Sequence, residues 1–209
     1  MIIAVDGPAA SGKGTVARAL ARHYGLPHLD TGLLYRAVAM NVWRLELNPE
    51  IEADGVAACD FDDALLNDAE LRSDDVGKIA SIVSVHPLVR AALKARQQRF
   101  ANQPGGAVLD GRDIGTVIAP HAEAKLFVRA TPNIRARRRH AELRSLGQEI
   151  SIDRVLADIR ARDQRDMQRA TAPLTIAADA AVLDTSFLSI EASVQRAIAL
   201  VEDRMRSAG

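Results

Sequence analysis

The residues with the clearest chemical potential lie near the start of the chain, in the stretch Gly7-Pro8-Ala9-Ala10-Ser11-Gly12-Lys13-Gly14-Thr15. Its first seven residues have the G-x-x-x-x-G-K spacing of a phosphate-binding loop. Glycines let backbone N–H groups approach a phosphate, and the lysine adds a mobile positive charge. A helix that starts behind the loop adds the positive end of its dipole. We therefore predict that residues 7–15 bind a phosphate group, in preference to the alternative of a glycine-rich turn with an incidental lysine.

One position departs from the usual form of this loop. Position 14 is glycine, whereas the motif carries Ser or Thr directly after the lysine to hold a magnesium ion. The hydroxyl arrives one residue later, at Thr15. We keep Thr15 as the candidate metal ligand, with contact through water and phosphates as the alternative.

Polar residues also follow three predicted strands, at the sheet edge where open α/β folds carry their chemistry. These segments are Asp6-Gly7, Asp30-Thr31-Gly32 and Asp110-Gly111-Arg112-Asp113. Each one alone is more typical of a plain turn than of a site. Their presence beside a phosphate loop favours a shared site. Arg36 follows Gly32 by about one helical turn, so it can point back toward the same edge.

A second charged cluster lies in two predicted helices of the C-terminal half. Its members are Arg135, Arg137, Arg138, Arg139, Arg160, Arg162, Arg165 and Arg169. The cluster could be a solvated helix face, a nucleic-acid groove or a flap that closes over a polyphosphate. Only one Trp, two Tyr and four Phe are available for stacking, which disfavours nucleic acid. We favour the flap, because guanidinium groups stabilise the charge of a transferring phosphoryl group.

The elements that must position these residues alternate along the chain. Apolar runs without alternation predict buried parallel strands at 2–5, 28–30, 107–109, 124–128 and 181–183. Helical periodicity covers 15–24, 33–47, 76–100 with a break at Pro87, 133–146, 152–169, and a last helix capped by Ser189. Residues 53–75 are acidic and weakly periodic, and we expect a loosely packed lobe there. The pattern predicts an α/β fold with a central parallel sheet flanked by helices.

The composition of the chain limits the class of protein and the kinds of partner that are expected. Its 209 residues, 48% of them hydrophobic, suit one globular domain. The formal net charge is zero, which indicates neither nucleic acid nor membrane as a partner. Cys59 is the only cysteine, so an internal disulfide is impossible and a reducing compartment fits. No apolar run has the length of a membrane span or of a secretory signal. We therefore expect a cytoplasmic protein.

Several longer segments make the chain resemble the bacterial cytidylate kinases, within the nucleoside monophosphate kinases of the P-loop class. The matching segments are DGPAASGKGT (6–15), LDTGLLYRA (29–37), LDGRDIGTVIAP (109–120), RARDQRDMQRATAPL (160–174) and ADAAVLDTS (178–186). They span nearly the whole chain in order. The first is shared by many kinases, and the second and third are far more specific. The stretch 46–71 carries no motif.

The resemblance implies transfer of the γ-phosphoryl group of ATP to CMP, and to dCMP, with Mg²⁺. It implies a monomer whose parallel sheet carries two mobile parts, a monophosphate-binding lobe at about 38–90 and an arginine-rich lid at about 131–163. The implied catalytic residues are Lys13, Arg112, Arg162 and Arg169. The implied substrate-binding residues are Thr31, Arg36, Ser81, Arg90, Asp110, Arg112, Asp113, Arg162, Asp166 and Arg169.

The resemblance implies that residues 7–15 hold ATP, and it assigns different roles to the substrate-binding residues. Arg36, Arg112 and Arg169 clamp the CMP phosphate and the transferring group, and Arg162 and Asp166 meet the ribose. The cytosine base is read by Ser81, Arg90 and Asp113. Two plainer alternatives stay open, namely that Ser81 is a small helix-packing residue and that Arg90 is a surface arginine.

Two rival functions share some of these features. A small-molecule kinase of the shikimate or gluconate type would share the loop and the size, but it has no need of the D-G-R-D-I-G-T segment. A non-catalytic nucleotide-binding module would need the loop but not the arginine-rich helices. An assay of ADP release with different acceptors separates the three.

Overall fold

The computed structural model describes residues 1–207, which form a five-stranded parallel sheet covered by helices on both faces. The spatial order of the strands is β2-β3-β1-β4-β5. The strands are β1 (Ile2–Asp6), β2 (His28–Asp30), β3 (Ala107–Gly111), β4 (Ala124–Arg129) and β5 (Ala181–Asp184). All five strands predicted from the apolar runs are present, and the predicted fold class is confirmed.

Within residues 1–207, eight α-helices connect and cover the strands. They are α1 (Lys13–Tyr24), α2 (Thr31–Arg44), α3 (Glu52–Ala57), α4 (Asp74–Val83), α5 (Pro87–Ala101), α6 (Pro132–Ser145), α7 (Ile152–Gln168) and α8 (Ile190–Ser207). Pro87 is the first residue of α5, where its missing N–H costs nothing. The Ser189 hydroxyl caps α8 by accepting a bond from the N–H of Ala192 at 3.1 Å, as predicted. Thr131 precedes α6 but makes no side-chain cap bond.

The two faces of β1 contribute to separate cores, since successive side chains of a strand alternate. Ile3 and Val5 pack with α1 and α8 on one face. Ile2 and Ala4 pack on the other, against β3 and the residues that follow it. The strand is therefore buried on both sides, which explains why its sequence shows no polar alternation.

Strand register brings the predicted polar strand ends together. Asp30 pairs with Asp110, and Asp6 pairs with Gly111. The chain then turns through a five-residue π-helical turn, Ile114–Ile118, which is a form often found at functional sites. The carboxyl edge of β1, β2 and β3 thus carries three aspartates beside the start of α1.

The acidic segment before α4 is better packed than its sequence predicts. It folds as α3 and two 3₁₀ turns, Asp63–Asn67 and Ala69–Arg72. Ala58 and Leu71 are fully buried in two small cores that they share with α2. The expectation of a loosely packed lobe is wrong at these positions, because their contacts come from elements distant in sequence.

Helices α6 and α7 form a hairpin with a core of its own. Ala136, Leu143, Val155 and Ile159 pack together across the two helices. Gly147, between them, has a φ of 77°, so the predicted break at this glycine is confirmed. We refer to residues 132–168 as the α6–α7 hairpin.

Within residues 1–207 no single helix is long and apolar enough to cross a membrane, and α4 with α5 reaches that length only as a pair bent by 104°.

Candidate active site

The phosphate loop leads directly from β1 into α1. A Cβ on Gly7 would collide with the carbonyl of Val128, so only glycine fits where the loop crosses β4. Ala10 and Gly12 have φ values of 57° and 90°, both in the left-handed region. Alternation of left-handed with ordinary residues points successive N–H groups to one side, which forms an anion-binding nest. The loop therefore has the backbone form that phosphate requires.

Lys13 lies at the floor of a cleft of about 450 Å³. Its Nζ lies 3.6 Å from Oδ1 of Asp110, and the other Asp110 oxygen accepts a hydrogen bond from Nε2 of His28 at 2.8 Å. Burial alone would raise the pKa of Asp110, but the His28 bond and the Lys13 charge hold it below its usual value. Burial and the nearby Arg112 lower the pKa of Lys13.

The cleft lies between α4, the α6–α7 hairpin and the phosphate loop. Its walls carry Ala9 and Ala10 of the loop and five of the predicted site residues, Lys13, Arg36, Ser81, Arg112 and Arg162. Arg139 and Arg165 from the charged cluster line it too. The cleft therefore combines the predicted triphosphate site with a concentration of guanidinium groups.

A narrower cavity of about 40 Å³ lies next to the cleft. Arg112 and Arg162 line both, so the two spaces are joined at these side chains. The other predicted residues around it are Thr31, Arg90, Asp113, Asp166 and Arg169. Arg162, Asp166 and Arg169 therefore face one space, as their helical spacing predicts.

Charge in the narrow cavity is organised by ion pairs. Nη2 of Arg90 lies 2.6 Å from Asp113, Nη2 of Arg169 lies 3.7 Å from the same carboxylate, and Nε of Arg112 lies 2.8 Å from Asp166. Burial would lower the pKa of Arg112, but the Asp166 charge and hydrogen bond raise it. Arg90 is 7% exposed, which removes the alternative of a surface arginine.

Arg162 differs from the other arginines of the narrow cavity, Arg90, Arg112 and Arg169, because it makes no ion pair within residues 1–207. Burial, with the neighbouring Arg112 charge, lowers the pKa of Arg162 to about 9. The group is therefore still a cation at neutral pH. The Asp166 charge acts on this pKa in the opposite direction, but the Asp166 carboxylate is ion-paired with Arg112. A buried cation among other cations is a favourable contact for an anion entering the cleft.

Several buried polar atoms around the phosphate loop and the two spaces have no hydrogen-bond partner among the described residues. They are Oγ of Ser11, the Tyr35 hydroxyl, Oδ1 of Asp110, Nε of Arg162 and Nη2 of Arg169. Buried polar atoms are normally bonded, because leaving one unpaired costs roughly 1–3 kcal/mol. Their concentration at the phosphate loop and the arginine cluster indicates groups that await a polar ligand.

Two predicted residues have partners other than those expected. Ser81 lines the wide cleft and accepts a hydrogen bond from Nε of Arg165 at 3.1 Å. Arg36 donates from Nη1 to the carbonyls of Leu71 and Ser73, at 2.6 and 3.0 Å. Arg90 and Asp113, both predicted to bind the base, form an ion pair with each other.

The comparisons with known proteins agree along the whole chain. A family profile described as cytidylate kinase matches residues 3–203. A cytidylate kinase from Xanthobacter autotrophicus is 57% identical over 204 residues, covering 98% of each chain. A second, from a Bradyrhizobium species, is 56% identical and covers 97% of this chain and 96% of its own.

This chain belongs to the cytidylate kinase family.

Among solved structures, a gluconokinase from Sinorhizobium meliloti 1021 is similar, with a TM-score of 0.54. It is 17% identical and covers 99% of this chain and 94% of its own. At that identity the likeness shows the shared fold alone.

Three residues without a predicted role also contribute to the candidate site. Tyr35 lines the narrow cavity, and the Arg90 guanidinium lies 5.5 Å from its ring centroid. His28 is hydrogen-bonded to Asp110, as described above. The Asp6 carboxylate accepts the N–H groups of Ile114 and Gly115 at 2.9 and 2.8 Å. The sequence marks Asp6 as a polar strand end, and Tyr35 could have been found from its position beside Arg36, whereas His28 carries no clear signal.

Proposed function

We propose that this protein is a nucleoside monophosphate kinase that transfers the γ-phosphoryl group of ATP to CMP, and to dCMP, giving ADP with CDP or dCDP. The observation that carries the proposal is the joining of two spaces at Arg112 and Arg162. One contains the phosphate loop, and the other is a narrow polar cavity lined by Asp113, Asp166 and Arg169. The relatives above, at 57% and 56% identity, are themselves named cytidylate kinases.

The proposed chemistry is direct transfer between two bound phosphates. ATP binds with its triphosphate on the loop N–H groups and Lys13. The CMP phosphate binds to Arg36, Arg112 and Arg169, and Arg162 meets the ribose. The acceptor phosphate is already an anionic nucleophile, so the protein supplies no general base and forms no covalent intermediate. Its contribution is alignment, together with cations that neutralise the oxygens of the transferring group.

The base of CMP occupies the narrow cavity in this proposal. Cytosine offers an amino donor at C4 and an acceptor at N3, which match a carboxylate and a guanidinium. Asp113 and Arg90 provide that pair 2.6 Å apart, and nucleotide entry exchanges part of their mutual contact for contacts with the base. Thr31 and Asp166 face the same space and suit the ribose hydroxyls, while Ser81 contributes from the cleft side.

Magnesium enters this proposal with ATP. Within residues 1–207 no group of three or more His, Cys, Asp or Glu side chains could hold a metal by itself. Oδ1 of Asp110 is buried without a hydrogen-bond partner and faces Lys13, and the Thr15 hydroxyl follows the loop. Oxygen ligands of this kind suit Mg²⁺, which usually binds through one or two protein oxygens, water and substrate phosphates. The ion would neutralise phosphate charge when bound.

Two mobile parts complete the proposal. Residues 38–90, with α3 and α4, act as the monophosphate-binding lobe, and residues 131–163, most of the α6–α7 hairpin, act as the lid. In the structure Nη2 of Arg139 on α6 lies 3.2 Å from Oδ1 of Asp74 on α4, and this ion pair spans the cleft. We propose a monomer, because one chain supplies every group in the cleft, and a cytoplasmic location, because ATP and CMP are available there.

A coupled assay of ADP release tests this function. Purified protein with ATP and Mg²⁺ is offered AMP, CMP, UMP, dCMP or shikimate in turn. We expect rapid turnover with CMP and dCMP and poor turnover with UMP. Turnover with shikimate instead would favour a small-molecule kinase. ATP binding without turnover on any acceptor would favour a non-catalytic nucleotide-binding module.

A further inference from the structure

The carbonyl groups of the phosphate loop have partners outside the nucleotide cleft. Nη1 of Arg135 donates to the carbonyl of Ala9 at 3.2 Å. The Thr185 hydroxyl donates to the carbonyl of Ser11 at 2.8 Å, and Nη1 of Arg138 approaches that oxygen at 3.3 Å. These two carbonyls flank Ala10. The loop is therefore held from its carbonyl side by α6 and by the residue that follows β5.

Ala10 is the residue that most needs such support. Its φ of 57° places a residue with a Cβ in the left-handed region. This conformation costs of order 1–3 kcal/mol and persists only where the surroundings impose it. The left-handed turn at Ala10 is also part of the alternation that directs the loop N–H groups toward an anion. Release of the flanking carbonyls would let the loop relax away from that form.

Arg135 is fixed by a second set of contacts. The side chain is 3% exposed, and Nε donates to the carbonyl of Ala130 at 2.9 Å. Two parallel bonds of 2.9 and 2.5 Å join its other nitrogens to the carboxylate of Asp163. Such a fork sets the plane of the guanidinium as well as its position. Asp163 follows Arg162 in α7, so the same pair ties the cleft-lining turn of α7 to the loop.

Thr185 connects the loop to the other arginine. Its hydroxyl accepts a bond from Nη1 of Arg138 at 3.0 Å, and its carbonyl accepts one from Nη2 at 2.6 Å. The single hydroxyl proton goes to Ser11, 2.8 Å away, in preference to the Arg129 carbonyl at 3.3 Å. Thr185 is 2% exposed, and its N–H is bonded to Arg129 at the end of β4. The hydroxyl is thus a fixed bridge from the sheet to the loop.

We propose that Thr185, Arg138 and the Arg135–Asp163 pair are positioning residues that keep the phosphate loop in its anion-binding form from the carbonyl side. Affinity for the triphosphate of ATP then depends on them, although they act through the backbone of the loop. CMP binding, which uses the narrow cavity, does not. This inference rests on the proposed function only in taking ATP as the ligand of the loop.

Paired substitutions at Thr185 test the proposal. Thr185→Val keeps the shape and removes the hydroxyl, and Thr185→Ser keeps the hydroxyl. Calorimetry measures the Kd of ATP without CMP, and the Kd of CMP without ATP. We expect Thr185→Val to weaken ATP binding by about tenfold, because the Ser11 carbonyl keeps only its longer bond from Arg138 and Nη1 of Arg138 loses the Thr185 hydroxyl as an acceptor. We expect Thr185→Ser to stay close to wild type, and CMP binding to be unchanged in both.

Asp163→Asn provides a second route to the same result if Thr185→Val does not fold. It removes the carboxylate that forks with Arg135. The matched control is Asp153→Asn, at an exposed carboxylate in the first turn of α7. We expect Asp163→Asn, but not Asp153→Asn, to weaken ATP binding and to speed amide exchange at residues 7–12.

Either of two results would overturn the proposal. One is wild-type affinity for ATP in folded Thr185→Val and Asp163→Asn. The other is an equal loss of affinity for ATP and CMP, which would indicate general destabilisation. Because ATP binding is measured alone, a protein that binds ATP but fails to phosphorylate CMP would contradict the proposed function and leave this inference standing.

Discussion

Lys13 is the residue at which the proposed chemistry can be tested most simply. Its ammonium faces the cleft and has Asp110 as its ion-pair partner at 3.6 Å. The Asp110 carboxylate keeps its bond from His28 when Lys13 is shortened, so the fold does not depend on this lysine. The ammonium instead acts on charge that develops between the β- and γ-phosphates.

We therefore expect Lys13→Ala to lower kcat by at least about 100-fold, the usual effect of losing one preorganised charge contact. Its thermal midpoint should remain close to that of wild type. Lys94→Ala, which removes an exposed lysine on α5, serves as the matched control. A well-folded Lys13→Ala protein that kept more than about a tenth of wild-type turnover would refute the role.

Asp113 is the residue proposed to distinguish cytosine from uracil. Its carboxylate can accept a bond from the C4 amino group of cytosine, but it repels the O4 oxygen of uracil. Asp113→Asn should lower kcat/KM for CMP and narrow the CMP-to-UMP ratio by roughly 5- to 150-fold, since one unpaired contact costs about 1–3 kcal/mol. The KM for ATP should change less. An unchanged ratio would instead leave Asp113 as a structural partner of Arg90 and Arg169.

At the scale of elements, the α6–α7 hairpin is held to the rest of the molecule unevenly. Arg135 and Arg138, in the first two turns of α6, are bonded to the phosphate loop. Farther along, Arg139 reaches Asp74 on α4 at 3.2 Å. The start of α6, up to Arg138, is thus fixed to the phosphate loop. We infer that lid motion is concentrated in residues 139–162.

Hydrogen exchange tests this division of the hairpin. Adding CMP with a non-hydrolysable ATP analogue should slow amide exchange in residues 139–162 by about tenfold or more, because bound phosphates draw the arginines inward. Residues 190–206 of α8, which packs on α1, β4 and β5, provide the internal control. Equal exchange with and without ligands would favour a hairpin that serves only as a solvated helical arm.

The sequence predicts most elements but fewer of the contacts between them. β1 and the phosphate loop are recognisable because their signal is local, and Pro87 and Gly147 mark helix ends for the same reason. The burial of Leu71 was missed, because its neighbours lie on α2 and α4. The sequence predicts a single role, a flap, for the arginines of the charged cluster. In the structure some of them face the phosphate loop, some face the cleft, and Arg137 faces solvent.

Pairs that define the site depend on the tertiary fold. Arg135 and Asp163 are 28 residues apart, and Arg90 and Asp113 are 23 apart. Periodicity places each side chain on a face of its own helix, but it says nothing of which helix lies opposite. The family resemblance implies that Arg90 and Asp113 both bind the base, but it does not predict the ion pair between them.

At the scale of the whole molecule, Asp6 links stability to pH. Burial raises the pKa of Asp6 to about 7, although the N–H groups of Ile114 and Gly115 act in the opposite direction. A carboxyl with a pKa above its unfolded value of 3.8 binds its proton more tightly in the folded state. Its contribution to stability is therefore full below about pH 4 and is lost as pH rises through about 7.

We expect urea unfolding at several pH values to show this loss, with a slope of up to about 1.4 kcal/mol per pH unit from this group. Asp6→Asn, which does not titrate, should flatten the slope between about pH 4 and 7. Asp60→Asn, at an exposed carboxylate, should leave it unchanged. Equal slopes in wild type and Asp6→Asn would show that Asp6 does not carry the proton.

The central claim is that the cleft moves one phosphoryl group directly from ATP to CMP. Phosphorus NMR of a mixture of the wild-type protein, ATP, CMP and Mg²⁺ tests it most directly, because each product has its own resonances. The account predicts that ADP and CDP form in equal amounts, with no inorganic phosphate. Formation of ADP with inorganic phosphate in place of CDP, or no conversion at all, would contradict it.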